Sequence, residues 1–478
     1  MATILLKSKI TTSTNIVVIA ERFNNEFGLP DKVNEYITTD LKNPDKKILT
    51  YNYIGKYISI LIIDKVKGKH AQDELLRRHG AGVADAVNLH QGKEIFIYNQ
   101  TNLPELSLAM AEGIVLGNYQ FLKHKPTASK KANTLQSVII ANTSLNATKV
   151  KELNLACEAT FMARDLVNEP VNILNAESLA NAFKSMGKKG GFKVDVLNKT
   201  KIKQLKMGGL LAVNAGSVDE PTFTIMEYKP KKPKNKKPIV LVGKGVVYDT
   251  GGLSLKPTPN SMDMMKCDMA GGAAVGCAIY AIAKAGLDVH VVGLVPATDN
   301  RPGFNAFAPG DIITMMDGST VEMLNSDAEG RMILADALHF AKRYQPELVI
   351  DIATLTGAAA AAIGTFGIVG MGTASADQKE NLYKSGLNVH ERIAEFPFWE
   401  EYDDLMKSDI ADQKNLGGPY AGSITAGKFL VKFTDYPYYH LDIAGPAFLT
   451  VKENYKPKGG TGVGVRLFFD FIKNFSNL

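Results

Sequence analysis

The feature that most constrains the fold is a regular alternation of short apolar strands with helices in the second half of the chain. Strands are predicted at 239–247, 289–295 and 348–354, and helices at 269–285 and 333–344. Strands that are apolar at nearly every position are typical of a parallel sheet, because helices bury both of its faces. We therefore predict an α/β fold whose larger domain has a mostly parallel central sheet flanked by helices.

A smaller α/β domain is predicted to precede it. A chain of 478 residues, 45% of them hydrophobic, can form roughly two or three domains. Strands are predicted at 15–20, 57–63 and 93–98, and helices at 71–89 and 103–122. The first domain, 1–145, shows no cluster of chemically active residues, so we expect a structural or assembly role. A linker helix, 146–169, then ends before Pro170, because proline cannot extend it, and the larger domain covers 170–478.

Composition narrows the class of protein. The formal net charge is +6, and six lysines lie in the segment 229–238 between two predicted strands. A lysine and proline run in this position is typical of a solvated hairpin loop rather than a nucleic-acid patch. The three cysteines form no CxxC pair, which favours a reducing compartment over a disulfide framework. No segment resembles a membrane span or an export signal, so we expect a cytoplasmic protein.

Acidic residues follow several of the predicted strands. Asp327 and Glu329 lie at a strand-to-helix corner, where an isolated pair of acids would ordinarily be first-turn residues that favour the helix dipole. Asp249 and Asp268 occupy two further corners upstream, and the carboxyl ends of adjacent parallel strands share one crevice. Four carboxylates that converge there would repel one another without a cation. Such clusters hold two divalent cations in hydrolases, which predicts a two-metal site.

Three basic residues alternate with these acids along the chain. They are Lys244, Lys256 and Arg331. Each alone would ordinarily be a surface residue. Beside a metal site, they can polarise a carbonyl, stabilise an oxyanion or hold an anionic cofactor.

The stretch around these acids resembles the signature of a known family. The sequence Asn325-Ser326-Asp327-Ala328-Glu329-Gly330-Arg331 is similar to the motif of the leucyl, or cytosol, aminopeptidases, which usually have threonine at position 326. The resemblance continues through 163–170, 242–257, 262–273, 354–358, 440–445 and 459–466. It departs from the family pattern at Asp299, where glutamate is usual, and in the loop 257–262, which is one residue longer.

The resemblance implies a set of metal ligands. One site would use Lys244, Asp249, Asp268 and Glu329, with the lysine amine as a ligand whose pKa must be depressed. A second, more exchangeable site would use Asp249, Glu329 and both the carboxylate and the backbone carbonyl of Asp327. The expected cofactors are two divalent ions per subunit, Zn²⁺ and/or Mn²⁺.

The family pattern also implies how a substrate would react. Lys256 would polarise the scissile carbonyl, and Arg331 would hold a bicarbonate that acts as general base toward the water between the metals. The free α-amine of the peptide would bind a metal, so only N-terminal residues would be removed. Six residues would line the pocket for the first side chain, preferably leucine or another apolar residue: Met265, Thr354, Leu355, Gly357, Ala444 and Ala447.

The resemblance thus predicts a metal-dependent aminopeptidase acting on peptides, with 170–478 as its catalytic domain. It further implies a homohexamer whose active sites face an inner cavity. One alternative is a DNA-binding accessory or regulatory protein on the same scaffold, for which the lysines of 229–237 are the only support. Another is an inactive scaffold, which is disfavoured because all seven expected metal and catalytic residues are present.

Overall fold

The computed structural model describes most of the chain. Its described residues are 1–7, 15–25, 29–43, 45–53, 56–63, 68–127, 131–141 and 144–476. No helix within these ranges combines the length and the apolar character that a membrane crossing requires.

Contacts divide the chain into two compact units. The first unit comprises Met1–Phe161 and Val451–Lys458, and the second comprises Met162–Thr450 and Gly459–Leu478. The division falls inside one continuous helix, because residues near the start of that helix are buried in the core of the first unit. The contact-based boundary therefore lies within the predicted linker helix, 146–169. The ranges given for functional domains remain a prediction.

The first unit is built on a six-stranded sheet in the order β1-β6-β5-β2-β4-β3. Its strands are β1 Thr3–Lys7, β2 Asn15–Ala20, β3 Ile48–Tyr53, β4 Lys56–Ile62, β5 Glu94–Asn99 and β6 Ser137–Ala141. Its helices are α1 Asp31–Asp40, α2 Lys69–Leu89, α3 Leu106–Gly117 and the start of α4 Ala147–Asn168. All strands are parallel except β3.

Strand β2 shows why this sheet has a core on each face. Val17 and Ile19 join one hydrophobic cluster, whereas Ile16, Val18 and Ala20 join another. Successive side chains of a strand point to opposite faces, so a continuously apolar strand is buried on both. The strand predicted at 15–20 is confirmed. The helix predicted at 103–122 is shorter at both ends.

The second unit contains a nine-stranded sheet in the order β16-β15-β18-β14-β9-β11-β8-β7, with β10 also paired to β11. Its strands are β7 Lys193–Leu197, β8 Thr222–Tyr228, β9 Ile239–Gly243, β10 Gly245–Asp249, β11 Val291–Asn300, β14 Leu348–Ala353, β15 Ile368–Gly372, β16 Ile393–Glu395 and β18 Tyr438–Asp442. Two small sheets contain β12 Asp311–Thr314, β13 Thr320–Met323 and β17 Gln413–Lys414, and β19 Phe448–Leu449 and β20 Gly459–Gly460.

Helices cover both faces of the large sheet, which confirms the predicted fold class. They are α5 Ala176–Gly190, α6 Lys199–Gln204, α7 Gly208–Asn214, α8 Ala270–Ala285, α9 Glu329–Ala341, α10 Gly357–Ile363, α11 Ala376–Asn388, α12 Glu401–Asp404, α13 Gly422–Val431 and α14 Val465–Ser476. Short 3₁₀ helices are Met262–Met269, Lys342–Tyr344 and Gly364–Phe366. Strands β18, β14, β9 and β11 are mutually parallel.

Strand β9 shows how the two helical layers approach the sheet. Val240 and Val242 lie in a core cluster with residues of α9. Gly243 faces α8 instead, and a Cβ atom built on it would lie 2.6 Å from the Cα of Gly272. A larger residue at 243 would therefore push α8 away from the sheet.

The strand predicted at 239–247 is in fact two strands separated by Lys244. The backbone N–H of Lys244 donates to the carbonyl of Ile352 (3.1 Å), and its own carbonyl accepts from the N–H of Gly272 (2.8 Å). These bonds hold the residue between β14 and α8 while the chain turns from β9 into β10. The apolar pattern alone gave no sign of this break.

The hairpin predicted around the lysine segment is wrong. Strands β8 and β9 flank this segment in sequence, but β11 lies between them in the sheet. The segment is therefore a connection that passes over one strand. Its six lysines are exposed, so the prediction of a solvated segment is confirmed.

Candidate active site

Four carboxyl groups come together at the ends of the central strands. Asp249 ends β10, Asp268 lies in the 3₁₀ helix before α8, and Glu329 begins α9. One carboxylate oxygen from each of these three residues lies within 4.8 Å of the other two. The fourth acid, Asp327, joins them through Lys256, whose ammonium contacts both Asp327 and Asp249. Parallel strands thus bring the predicted acids to one edge of the sheet.

Lys244, Asp268 and Glu329 form what we call the inner group. The Nζ atom of Lys244 lies 2.7 Å from Oδ2 of Asp268 and 2.9 Å from Oε1 of Glu329. It also donates to the backbone carbonyl of Thr354 at 2.9 Å. No more than 4% of any of these three charged side chains is exposed. The inner group is therefore an ion-pair cluster removed from water.

Lys256, Asp249 and Asp327 form the outer group. The Nζ atom of Lys256 lies 2.9 Å from Oδ2 of Asp249 and contacts Oδ1 of Asp327. Asp249 is buried, but 15% of the Lys256 side chain and 34% of the Asp327 side chain are exposed. Water therefore reaches this group.

Burial and charge shift the pKa values of these residues. Burial raises the pKa of Asp268 well above its usual value and also raises the pKa of Glu329. Neighbouring carboxylates add to both shifts. Burial, with the charges of Asp249 and Glu329, raises the pKa of Asp327 to about 7. For Lys244, burial lowers the pKa, but the charges of Asp268 and Glu329 outweigh it and hold the pKa above its usual value.

This direction for Lys244 is opposite to the depressed pKa expected of a lysine ligand. Protein charges alone favour an ammonium, because three carboxylates surround it. A coordinating amine at this position would require cations that offset those carboxylates and displace the proton.

The donor set of both groups fits divalent cations. Carboxylate oxygens with one amine nitrogen are ligands suited to Zn²⁺ or Mn²⁺. Oε2 of Glu329 is buried, and among the described residues it has no hydrogen-bond partner. A buried carboxylate oxygen without a donor is costly unless a cation contacts it.

Arg331 lies in the first turn of α9 and is buried. Its Nη1 atom donates to the carbonyl of Asn415 at 2.7 Å, whereas its Nε atom has no hydrogen-bond partner in the part of the chain that the structure describes. Burial lowers the pKa of Arg331 to about 10, so the guanidinium stays charged at neutral pH. It retains a donor that can bind an anion.

The six residues predicted to line the substrate pocket lie on three segments. Thr354, Leu355 and Gly357 follow β14, Ala444 and Ala447 follow β18, and Met265 lies on the 3₁₀ helix before α8. Met265, Leu355 and Ala444 are half-buried, and Gly357 is exposed. Thr354 ties its segment to the inner group, since its Oγ1 donates to Oδ1 of Asp268 at 2.7 Å. Ala447 is enclosed, so the surface that it can offer to a substrate is small.

Comparison with known proteins shows the family of this chain. The profile described as "Cytosol aminopeptidase family, catalytic domain" matches residues 161–469. The chain belongs to the cytosol aminopeptidase family. A probable cytosol aminopeptidase of Chlorobaculum tepidum is 48% identical over 449 residues, which cover 88% of each chain. One of Geobacter sulfurreducens is 42% identical over 400 residues, 82% of this chain and 79% of the relative.

Solved structures agree with this assignment. A mutant of tomato leucine aminopeptidase superposes with a TM-score of 0.88 at 27% identity, covering 99% of this chain and 97% of its own. The bottromycin maturation enzyme BotP in complex with Mn gives a TM-score of 0.84 at 28% identity, covering 97% and 99%. Membership in the cytosol aminopeptidase family makes the chain a metal-dependent aminopeptidase, and the comparisons do not favour the DNA-binding alternative.

Several residues that support the site of this cytosol aminopeptidase were missed by sequence reasoning. Asn300 donates through Nδ2 to Oδ1 of Asp249 (2.8 Å) and to the carbonyl of Ser326 (2.9 Å), which fixes two strand ends to one another. The hydroxyl of Ser326 donates to the carbonyl of Gly251 (2.6 Å) and accepts from the N–H of Ser254 (2.8 Å). Threonine carries the same hydroxyl, which accounts for the departure from the family motif at this position.

The three cysteines, Cys157, Cys267 and Cys277, are buried thiols that form no disulfide with one another. Burial raises the pKa of Cys267 to about 12, so its thiol is not a nucleophile at neutral pH.

Proposed function

We propose that this member of the cytosol aminopeptidase family removes N-terminal residues, preferably leucine or other apolar residues, with two divalent cations per subunit. The observation that carries the proposal is the convergence of three buried carboxylate oxygens within 4.8 Å beside a buried lysine amine. Lys244, Asp249, Asp268 and Glu329 would hold the tighter ion. Asp249, Asp327 and Glu329 would hold the more exchangeable one. The manganese complex of the related enzyme BotP supports the use of divalent ions.

Lys256 would act on the substrate beside the two cations. When bound, two divalent cations activate water and stabilise developing negative charge. Lys256 would polarise the scissile carbonyl and stabilise the oxyanion that forms in the transition state. Its position at the accessible edge of the centre supports this role, since a substrate can reach it.

Arg331 would hold a bicarbonate that acts as general base. Its charge at neutral pH and its unpartnered Nε atom, among the described residues, support anion binding. If so, Arg331→Ala should lower turnover less than loss of Lys256, and added bicarbonate should no longer change its rate. A variant that still responds to bicarbonate would contradict this assignment.

The pocket for the first side chain would consist of Met265, Thr354, Leu355, Gly357, Ala444 and Ala447. Small residues leave space in such a pocket, and methionine adapts to the ligand, which suits leucine or methionine. The substrate's α-amine would bind one of the cations, which would restrict cleavage to the N-terminal residue.

We further propose a cytoplasmic homohexamer in which the N-terminal domain serves assembly. The family resemblance supports the hexamer, and three buried cysteines outside any disulfide are compatible with a reducing compartment. Sedimentation analysis of the purified chain tests the assembly, because a stable monomer or dimer would contradict it.

The activity itself is tested with a panel of aminoacyl amides and dipeptides. Protein treated with a chelator and then given Zn²⁺ or Mn²⁺ should hydrolyse leucyl substrates fastest, and the chelated protein should be inactive. Substrates with an acetylated N-terminus serve as the control and should not be cleaved. Cleavage of acetylated substrates, or activity without added ions, would contradict the proposal.

A further inference from the structure

One buried carboxylate lies outside the metal centre and joins two of the proposed pocket segments. Asp442 is the last residue of β18 and is almost fully buried. Its Oδ1 atom accepts from the backbone N–H of Leu355 at 3.2 Å and from that of Ala444 at 3.1 Å. Its Oδ2 atom accepts from Oγ1 of Thr356 at 2.6 Å. A single side chain thus contacts both segments.

We propose that Asp442 is a positioning residue that sets the width of the pocket for the substrate's first side chain. This inference rests on the proposed aminopeptidase function and on the pocket assigned there. Leu355 and Ala444 belong to that pocket, and their backbone donors share one oxygen of Asp442. The separation of the two segments is therefore fixed by one acceptor.

Strand pairing explains why an aspartate at this position can reach both segments. Strands β14 and β18 are parallel neighbours, and Asp442 lies directly opposite Ala353, the last residue of β14. Both segments leave the sheet from this edge. An aspartate carboxylate here can accept a hydrogen bond from the backbone N–H two positions ahead, that of Ala444. It can also accept from the backbone N–H of Leu355, which follows the end of the neighbouring strand β14.

The bond to Thr356 extends this control into α10. Thr356 caps that helix, since its Oγ1 accepts from the N–H of Ala359 at 3.1 Å. The hydroxyl can donate one hydrogen bond while accepting another, so Asp442 orients the cap while the cap holds the helix. The exposed pocket residue Gly357 is the first residue of α10.

Thr354, the first residue after β14, is held by the inner group and not by Asp442. Thr354 donates to Asp268 and accepts from Lys244 through its carbonyl, so it belongs with the inner group. In this segment, Asp442 accepts instead from the next two residues, Leu355 and Thr356. Loss of Asp442 should therefore alter the pocket while leaving the metal ligands in place.

The test compares four variants with the wild-type holoenzyme on leucyl and alanyl amides. Asp442→Ala removes both acceptor oxygens, and Thr356→Val removes the hydroxyl that donates to one of them. Thr356→Ser keeps the hydroxyl. Asp351→Ala is the matched control, because Asp351 is another buried aspartate of this sheet and its hydrogen bonds go to Tyr438 and His440 of β18, not to Leu355, Thr356 or Ala444.

We expect Asp442→Ala and Thr356→Val to lower the leucyl-to-alanyl ratio of kcat/KM by about tenfold, mainly through the KM for leucyl substrates. The metal content per chain should not change. Thr356→Ser and Asp351→Ala should keep the wild-type ratio, even if Asp351→Ala lowers the melting temperature.

Two results would overturn the inference. One is a wild-type ratio with full activity in Asp442→Ala and Thr356→Val, and the other is a wild-type ratio with equal losses of activity on both substrates. If Asp442→Ala fails to fold, Thr356→Val decides the question by the same ratio. A wild-type protein that cleaves neither amide would instead overturn the proposed function and this inference with it.

Discussion

The inner and outer groups contain the same chemical components but differ in their access to water. Each places one lysine ammonium between two carboxylates. The inner lysine is fully buried, whereas the outer lysine and Asp327 are partly exposed. Desolvation strengthens the charge interactions of the inner group and makes an unpaired charge there costly. The inner group is therefore suited to hold an ion tightly, and the outer group to exchange one and to meet substrate.

This comparison predicts that the two lysines differ in their contribution to stability. Lys244→Met leaves buried carboxylates without their cation in chelator-treated protein and should lower the free energy of unfolding by about 3–5 kcal/mol. Lys256→Met should cost less, because water screens the carboxylates it leaves behind. Denaturant unfolding at pH 7 in a chelator measures both. Equal losses would remove the distinction between the two groups.

The main effect of Lys256 is expected in catalysis rather than in stability. Lys256→Ala should lower kcat by about a hundredfold or more with little change in KM, because the interaction it removes is expected to form in the transition state. Lys384→Ala is a suitable control, since Lys384 is an exposed lysine whose partner, Glu380, lies one turn earlier on the same helix. An unchanged kcat in Lys256→Ala would exclude it from the mechanism.

A smaller effect is expected in the proposed pocket for the first side chain. Ala444→Phe should reduce kcat/KM for leucyl substrates by about tenfold more than for alanyl substrates, because a larger residue fills space that leucine needs. Ala376→Phe, at an exposed position, provides the control. Equal losses on both substrates would show that the pocket lies elsewhere.

Much of this site could be predicted because parallel strands end at one edge of a sheet. The acids Asp249, Asp268 and Glu329 lie shortly after a predicted strand or shortly before a predicted helix, so their convergence follows from the fold class. The difference between the inner and outer groups could not be predicted in this way. It depends on the burial of Lys244, which results from a break between β9 and β10 that an apolar run conceals.

The supporting residues depend on strand order, which local patterns do not reveal. Asn300 reaches Asp249 because β10 pairs with β11, and Asp442 reaches Leu355 because β18 pairs with β14. The same limitation produced the incorrect hairpin, because β11 lies between β8 and β9. Each partner in these cases lies dozens of positions away along the chain, beyond the reach of periodicity or turn signals.

Metal content per chain after dialysis tests most directly whether the two groups hold different ions. Asp327 is a proposed ligand of the more exchangeable ion alone and Asp268 of the tighter ion alone, whereas Asp249 and Glu329 are shared by both. Asp327→Asn should keep about one ion per chain, because removal of a carboxylate weakens the binding of a divalent cation strongly. Asp268→Asn should weaken the tighter ion instead, and Glu329→Gln should weaken both. Two tightly held ions in Asp327→Asn would contradict the account.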